Sequence, residues 1–392
     1  MTFVPFFDLK RQFRSLRDDI LEELTAVCDS QSFILGPKVE MFEKAVSSIC
    51  GDRHAVGMSS GTDAELALLM GLGVGPGDAI VTSPFTFFAT AACAARLGVK
   101  LVFVDIDRDT FNLSPKRLEE FFSTDCTFDE RGLRTNDGLL VKAVIPVHLF
   151  GLCCAMDEIL LLCSRFRVPV IEDAAQAIGA EYPSSNGLKR AGGIGEFGFF
   201  SFYPTKNLGA FGDAGMALAK DSAMAARLKV IRNHGMEPKY CHDVVGGNFR
   251  LDALQAAVLL KKLPYLGAWS ERRWEIAQHY RTEFGEFAPA LQSPVEPFRE
   301  SIGNRGHTYH QFVVRTAKRD ELREHLRALG IGTEIYYPIP LHLQNCFAQM
   351  TAKPCPVSES AAREALALPI FPELTDAEVE IVAKGVGSFF KK

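Results

Sequence analysis

The stretch Ser201-Phe-Tyr-Pro-Thr-Lys206-Asn-Leu-Gly-Ala-Phe-Gly-Asp-Ala-Gly215 places a lysine between an apolar strand and a glycine-rich loop. The residues from Phe197 to Tyr203 are mostly aromatic and predict a strand inside the fold. A lysine amine is normally protonated and is therefore a poor nucleophile. When it is desolvated, it can attack a carbonyl group and form a Schiff base. The stretch therefore indicates a candidate nucleophile, Lys206, at the end of a buried strand.

Composition limits the classes of protein to which the chain can belong. It has 392 residues, of which 47% are hydrophobic, so two or three domains with a large core are expected. The net charge of −5 without long runs of like charge argues against a nucleic-acid partner. No apolar run is long enough to cross a bilayer, and the N-terminus lacks the features of a signal peptide. We therefore expect a cytoplasmic protein with no membrane partner.

The ten cysteines are scattered, with one vicinal pair at Cys153 and Cys154 and no CxxC motif. Reduced cysteines that serve as small apolar residues are the usual case in a cytosolic protein of this size. No zinc-like spacing is present, so no metal site is expected.

The order of predicted elements indicates an α/β fold. Between residues 54 and 220, short apolar strands alternate with helical stretches, which predicts a large domain with a mostly parallel seven-stranded sheet covered by helices. The predicted units are an N-terminal arm and helix (1–30), the large domain (31–265) and a smaller C-terminal α+β domain (266–392). Residues 123–138 are polar and predict a surface insertion, 289–304 predict a loop, and 331–337 predict a strand.

Three further features could form a site with Lys206. Asp173 ends an apolar strand, where ligands of open α/β sheets bind, although an acid there can also simply cap the next helix. Gly61 and Thr62 follow a strand and open a helix, whose N-terminus suits a phosphate, although Ser and Thr are also ordinary helix caps. Phe87 lies at another strand end and could stack on a planar ring, although an isolated Phe is usually a core residue.

Together these features match one cofactor, pyridoxal 5′-phosphate (PLP). Its protonated ring nitrogen needs a carboxylate, its aldehyde needs a lysine, and its phosphate suits a helix N-terminus. A planar, phosphorylated, cationic molecule uses all four features, which occur in order along one predicted sheet.

The chain resembles the DegT/DnrJ/EryC1/StrS family of sugar aminotransferases, which share the aspartate aminotransferase fold. The resemblance covers nearly the whole chain, from Phe7-Asp-Leu-Lys-Arg-Gln12 to Tyr337-Pro-Ile-Pro-Leu-His342-Leu-Gln344. The motifs between these ends are Ser60-Gly-Thr62, Pro84-Phe-Thr-Phe-Phe-Ala-Thr90, Pro146-Val-His-Leu-Phe-Gly151, Glu172-Asp-Ala-Ala-Gln176, Ser201-Phe-Tyr-Pro-Thr-Lys-Asn-Leu-Gly209 and Gly247-Asn-Phe-Arg-Leu-Asp-Ala-Leu-Gln-Ala-Ala257.

The resemblance implies roles for residues around the cofactor ring. Lys206 would bind the PLP aldehyde and shuttle the proton, and Asp173 would pair with the ring nitrogen. Gln176 would hydrogen-bond the ring hydroxyl oxygen, and Phe87 would stack on the ring.

The resemblance also implies how the phosphate is held. Gly61, Thr62 and Ser201 would bind it from the same chain, and Asn248 would reach it from a second subunit. A homodimer with shared active sites would then be the smallest active unit.

The implied reaction is a transamination in amino-sugar biosynthesis, for a surface polysaccharide or a glycosylated metabolite. L-glutamate would give its amino group to the cofactor, and a nucleotide-linked keto-sugar would then accept it. The run that starts at Asn248 is more similar to that of 3-keto than of 4-keto enzymes, and the run that ends at Gln344 agrees. Tyr337, His342 and His310 are candidate substrate contacts. Each histidine could also be a structural hydrogen-bonder, which is our prediction for His148.

Three alternatives make different demands on the sequence. The dehydratase branch of the family has a histidine in place of the catalytic lysine, so Lys206 argues against it. A catalytically silent regulator on the same fold would be expected to lose Lys206 or Asp173. A nicotinamide-dependent dehydrogenase needs a GxGxxG turn after a strand, whereas the glycines of residues 71–77 precede one.

Overall fold

A central sheet positions the candidate residues. In the computed structural model, which describes residues 3–350 and 353–391, the strands are β1 (His54–Met58), β2 (Asp78–Thr82), β3 (Lys100–Phe103), β4 (Cys126–Asp129), β5 (Gly132–Thr135), β6 (Leu140–Ile145), β7 (Ile171–Asp173), β8 (Glu181–Ser184), β9 (Gly187–Arg190), β10 (Phe197–Ser201), β11 (Gly215–Ala219), β12 (Phe312–Arg315) and β13 (Ala365–Leu368).

The central sheet has the strand order β1-β11-β10-β7-β6-β2-β3. Strand β10 pairs in parallel with β7, and β2 pairs in parallel with β6 and β3. Parallel bridges from Val144 to Val170 and from Val147 to Asp173 join β7 to β6. Strand β11 is antiparallel to both of its neighbours. Apart from the β4–β5 hairpin attached to β6, the described part of this sheet therefore has seven strands and is mostly parallel, and the predicted α/β class is confirmed.

The helices cover this sheet and build the C-terminal part of the chain. They are α1 (Leu9–Ser30), α2 (Pro37–Ile49), α3 (Gly61–Gly71), α4 (Ala89–Arg96), α5 (Pro115–Thr124), α6 (Met156–Arg165), α7 (Ser222–Ile231), α8 (Ala253–Lys262), α9 (Leu266–Phe284), α10 (Arg299–Ile302), α11 (Arg319–Ala328), α12 (Pro356–Glu364) and α13 (Asp376–Phe390). In the parts of the chain that the structure describes, none of them is long and apolar enough to cross a membrane.

Both faces of the sheet are buried, which explains why its strands are continuously apolar. Successive side chains of a strand point to opposite faces. In β10, Phe199 belongs to the core formed with α3, α4 and α7, whereas Phe200 belongs to the core formed with α2, α6 and α8. In β11, Ala217 and Leu218 divide between the two cores in the same way. A further core joins α9, α11 and α13 to β12 and β13.

The predicted surface insertion at residues 123–138 lies between α5 and β6 and is mostly exposed. It contains the hairpin β4–β5, which adds to the sheet because Arg134 pairs with Leu140 of β6. Two other predictions from the sequence need correction. Residues 289–304 include the short helix α10. The strand predicted for 331–337 is wrong: this segment makes only single bridges, Ile331 with Val4 and Glu334 with Ala367, because it passes two different partners on its way to the site.

Candidate active site

The carboxyl ends of two neighbouring parallel strands bring Asp173 and Lys206 to the same edge of the sheet. Asp173 is the last residue of β7 and lies opposite Phe199 of β10. Lys206 lies in the loop that follows β10. Open α/β sheets bind ligands at this edge because the strand ends and helix N-termini leave polar groups there. Both residues line a cavity of about 490 Å³.

Asp173 is a buried carboxylate whose two oxygens are both hydrogen-bonded. Thr90 Oγ1 donates to Oδ2 over 2.8 Å, and the backbone N–H of Ala175 donates to Oδ1 over 3.1 Å. Burial raises the pKa of Asp173, and the hydrogen bonds together with the charge of Lys206 oppose that rise. A cation in the cavity would stabilise this carboxylate further, because the ionised form is costly to bury without one.

Lys206 has the properties of a nucleophilic lysine. Burial in the cavity wall lowers its pKa to about 8, and the charge of Asp173 only partly offsets this effect. A larger fraction of the amine is therefore neutral near pH 7 than for an exposed lysine. The backbone N–H of Lys206 donates to the carbonyl oxygen of Tyr203 over 2.8 Å, which fixes the turn that carries it.

The N-terminus of α3 forms the opposite wall of the cavity. Ser60 caps the helix by accepting a hydrogen bond from the Asp63 N–H over 3.0 Å, and Gly61 and Thr62 form the first turn. A Cβ atom on Gly61 would lie 2.7 Å from Cβ of Ser201, so only glycine allows the turn to come this close to β10. Free N–H groups at a helix N-terminus and a nearby serine hydroxyl suit a phosphate group.

Gln176 has a fixed orientation beside Asp173. Its Oε1 accepts a hydrogen bond from the Phe150 N–H over 2.7 Å, so the Nε2 end of the amide points away from Phe150. Nε2 donates to the hydroxyl of Tyr337 over 3.1 Å, and both side chains line the cavity. Burial raises the pKa of the Tyr337 hydroxyl, so it remains protonated. The second N–H of the amide can donate to a hydroxyl oxygen on a bound ring.

Phe87 lies on the cavity wall with 58% of its surface exposed, which is unusual for a large apolar side chain. Its neighbours in the same motif are used differently. Phe85 is fully buried, and Phe88 stacks on Phe347 at a ring distance of 5.6 Å. Phe87 is therefore the aromatic ring of this motif that is available to a planar ligand.

The three histidines lie in different surroundings. His310 lines the cavity and makes a 3.0 Å hydrogen bond to Asn207, and burial lowers its pKa, so it is neutral. His342 lies outside the set of residues that line the cavity and contacts Glu359 over 3.2 Å. His148 is fully buried and uses both ring nitrogens within the chain, on Glu172 and on the Cys154 N–H. Its predicted structural role agrees with these contacts.

Asn248 is exposed and lies outside the residues that line this cavity, next to Asn233, with which it forms a single bridge. Its predicted role, contact with the phosphate of a second subunit, requires such an exposed position. The role remains a prediction, since one chain cannot contain that contact.

Sequence reasoning missed two residues that hold the site together. Thr90 was part of a recognised motif, but its hydrogen bond to Asp173 depends on the packing of α4 against β7. Lys262 donates a hydrogen bond to Gly209, which follows the Lys206 turn, although the two residues are 53 positions apart in the chain. Its position in the charged end of α8 gave no signal of burial.

These residues fit PLP. The pKa of a buried carboxylate is raised by burial, which a bound cation would oppose, and an aromatic face is exposed. A helix N-terminus begins with a glycine that allows close approach, and a lysine of lowered pKa lines the same cavity. The fold and site thus define a PLP-dependent aminotransferase.

The model of the DegT/DnrJ/EryC1/StrS aminotransferase family matches residues 14–387. The chain belongs to this family, and the resemblance predicted from its motifs is confirmed.

Individual relatives are similar over nearly their full length. The chain is 43% identical to a Geobacillus stearothermophilus protein named pleiotropic regulatory protein, over 99% of each chain. It is 39% identical to UDP-N-acetyl-3-dehydro-alpha-D-glucosamine 3-aminotransferase of Acidithiobacillus ferrooxidans, over 97% of this chain and 96% of that one. The crystal structure of S. venezuelae DesV in complex with a ketimine intermediate superposes with a TM-score of 0.90, 37% identity and full coverage of both chains.

Proposed function

We propose that this enzyme transfers the amino group of L-glutamate to the 3-keto group of a nucleotide-linked sugar. The observation that carries the proposal is the shared cavity of Lys206 and Asp173, at the ends of adjacent strands, in a chain of the sugar aminotransferase family. The product would be an amino sugar for a surface polysaccharide or a glycosylated metabolite. We propose that the enzyme acts in the cytoplasm. The ten cysteines, all within the described ranges, are free thiols, and the reducing conditions of the cytoplasm keep thiols in this form.

Lys206 is proposed as the residue that binds the cofactor aldehyde and transfers protons. Bound PLP supplies an electron sink that lets a proton leave the carbon bearing the nitrogen. The Lys206 amine takes that proton as a general base and returns it as a general acid. A pKa of about 8 suits both directions, because the amine can lose and regain a proton near neutral pH.

The other cavity residues are proposed to bind and orient the cofactor. Asp173 would hold the ring nitrogen in its protonated form, and Gln176 would donate to the ring hydroxyl oxygen. Phe87 would cover one face of the ring. The phosphate would bind to Gly61 and Thr62 at the N-terminus of α3 and to Ser201, which packs against Gly61.

The preference for a 3-keto substrate has two supports. One is the similarity of the Asn248–Gln255 run to 3-keto enzymes, and the other is the printed activity of the A. ferrooxidans relative. Tyr337 and His310, both at the cavity wall, are the proposed sugar contacts. His342 is buried outside the residues that line the cavity, against Glu359 and near the ring of Phe103, so a sugar contact there would require this packing to change.

A homodimer is proposed as the active unit. Asn248 is exposed and outside its own cavity, as a residue that completes the phosphate site of a partner must be. Removal of Asn248 should then weaken the cofactor site of the other subunit.

A regulatory function is a second candidate, because the G. stearothermophilus relative is named a regulatory protein. The lowered pKa of Lys206 and the paired oxygens of Asp173 support catalysis instead, since a silent scaffold needs neither.

One screen tests the proposal. The purified enzyme is incubated with PLP, glutamate and a panel of nucleotide-linked 3-keto and 4-keto sugars, and 2-oxoglutarate and the amino sugar are quantified. We expect amination of a 3-keto member and loss of turnover in Lys206→Ala. Amination of 4-keto sugars alone would reject the 3-keto proposal, and full turnover by Lys206→Ala would reject the role of the lysine.

A further inference from the structure

Lys262 is a buried lysine that contacts the loop that carries Lys206. It is the last residue of α8 and is only 2% exposed. Its Nζ donates a hydrogen bond to the carbonyl oxygen of Gly209 over 2.7 Å. Gly209 is three residues after Lys206 in the same loop, so the contact is close in the chain to the proposed nucleophile.

The loop between β10 and β11 is closed on itself, so a contact at one point constrains its other residues. The N–H of Ala210 donates to the carbonyl oxygen of Phe202 over 2.8 Å, and the N–H of Lys206 donates to that of Tyr203. A Cβ atom on Gly209 would lie 2.2 Å from the carbonyl oxygen of Pro204. The two sides of the loop therefore touch, and a displacement of Gly209 is transmitted to Lys206.

Three side-chain hydrogen bonds tie the loop to residues outside it. Asn207 donates to the carbonyl oxygen of Thr308 over 3.0 Å. Gln255 accepts a hydrogen bond from the N–H of Phe211 over 2.8 Å, and Lys262 binds Gly209. Gln255 and Lys262 both belong to α8, so this helix anchors the end of the loop that follows the nucleophile.

The charge of Lys262 is poorly compensated for a buried group. Burial lowers its pKa to about 8, and Glu373 only partly offsets this effect. Its Nζ also lies 5.0 Å from the ring centre of Phe211. A charge-assisted hydrogen bond to a backbone carbonyl is stronger than a neutral one, which makes Lys262 an effective anchor for the loop.

We propose that Lys262 is a positioning residue for Lys206: its hydrogen bond to Gly209 keeps the loop in the conformation that aims the Lys206 amine at the cofactor. The proposal rests on the role of Lys206 proposed above. It predicts a slower chemical step with little change in substrate binding, because Lys262 is not among the residues that line the cavity. A misplacement of a reacting group by about 1 Å costs on the order of 100-fold in rate.

The test compares Lys262→Met with Lys261→Met. Both substitutions remove a lysine from the end of α8, but Lys261 is partly exposed and faces Glu23 at 3.4 Å. Each PLP-loaded variant is mixed with glutamate, and the decay of the visible absorbance of the cofactor gives the rate of the first half-reaction. The rate of cofactor fixation to Lys206 by borohydride is measured in parallel, together with the thermal unfolding of the apoprotein.

For Lys262→Met we expect a maximal half-reaction rate lower by about ten-fold or more, slower fixation, and an apparent glutamate affinity within about three-fold of wild type. Lys261→Met should match wild type. The proposal is overturned if Lys262→Met, per cofactor-loaded site, reacts within about two-fold of wild type, even if it unfolds at a lower temperature. Retained turnover in Lys206→Ala would instead reject the function proposed above, so the two failures are distinguishable.

Discussion

Thr90 on α4 donates a 2.8 Å hydrogen bond to Asp173 at the end of β7, and this contact occupies the oxygen that the Ala175 N–H leaves free. Both oxygens of the carboxylate are thus fixed before any ligand binds. Because burial alone would favour the neutral acid, the Thr90 hydroxyl helps to keep Asp173 ionised.

We therefore expect Thr90→Val to raise the pKa of Asp173. Activity requires the ionised carboxylate. As the pH is lowered, Thr90→Val should therefore lose activity at a higher pH than wild type does. A hydrogen bond to a charged group contributes about 1.5–3 kcal/mol, so kcat/KM should fall by about ten-fold or more. The measurement is the pH profile of kcat/KM, with Thr90→Ser as the control that keeps the hydroxyl. Superimposable profiles for wild type and Thr90→Val would contradict this role.

Gly61→Ala should weaken PLP binding with little effect on the fold. The added Cβ would approach Ser201 to 2.7 Å and push the α3 N-terminus away from the phosphate site. We expect the Kd for PLP, measured by fluorescence titration of the apoprotein, to rise by about ten-fold or more. Gly75→Ala is the matched control, because a Cβ at Gly75 meets nothing within 4 Å. An unchanged Kd in Gly61→Ala would place the phosphate elsewhere.

Glu65 gives a prediction about stability. It is fully buried on α3, and in the described part of the chain neither of its carboxyl oxygens has a nitrogen or oxygen partner within hydrogen-bond distance, although the Cys93 thiol lies near enough to lower its pKa slightly. Burial, reinforced by the charge of Asp173, raises its pKa in the folded state. A raised pKa in an acid means that the stability it contributes is complete below the unfolded-state pKa and is lost as the pH rises towards the folded-state value.

Glu65→Gln is neutral at every pH, so its apoprotein should lose less unfolding free energy than wild type as the pH rises above about 4.5. Glu65→Leu should stabilise the protein at pH 8 by about 1–3 kcal/mol, because it removes a buried polar group that lacks a partner. Urea unfolding at several pH values measures both effects. A wild-type pH dependence that persists in Glu65→Gln would show that another group causes it.

Mixed dimers test the proposed contribution of Asn248 to a partner site. In a dimer of one Lys206→Ala subunit and one Asn248→Ala subunit, one site lacks both residues and the other has both. An equal mixture of randomly paired subunits should therefore recover about a quarter of wild-type activity, although each homodimer is weak. Recovery no greater than the mean of the two homodimers would contradict a shared site.

The sequence predicts the central sheet well because its strands are apolar on both faces and short. The aromatic run Phe197–Tyr203 predicts the strand before Lys206, and β10 occupies Phe197–Ser201 of that run. The C-terminal elements were harder to predict. Strand β13 is only Ala365–Leu368, and its strand character comes from pairing with β12. Helix α13, in contrast, begins with a capping box of Thr375 and Glu378, a signal that the sequence does contain.

The candidate site divides in the same way. Lys206, Asp173 and Gly61 follow from strand ends and turn residues, which are local patterns. Thr90 and Lys262 act through contacts between elements distant in sequence, and their hydrogen-bond partners appear only in the folded chain.

Borohydride reduction of the PLP-loaded enzyme tests the central claim most directly. Burial lowers the pKa of both Lys206 and Lys262 to about 8, so the lowered pKa alone does not distinguish them. The reduced protein is digested, and mass spectrometry locates the lysine that carries the cofactor. We expect the cofactor on Lys206 and not on Lys262. A cofactor fixed to Lys262 or to any other lysine, with Lys206 unmodified, would contradict the assignment of Lys206 as the catalytic residue.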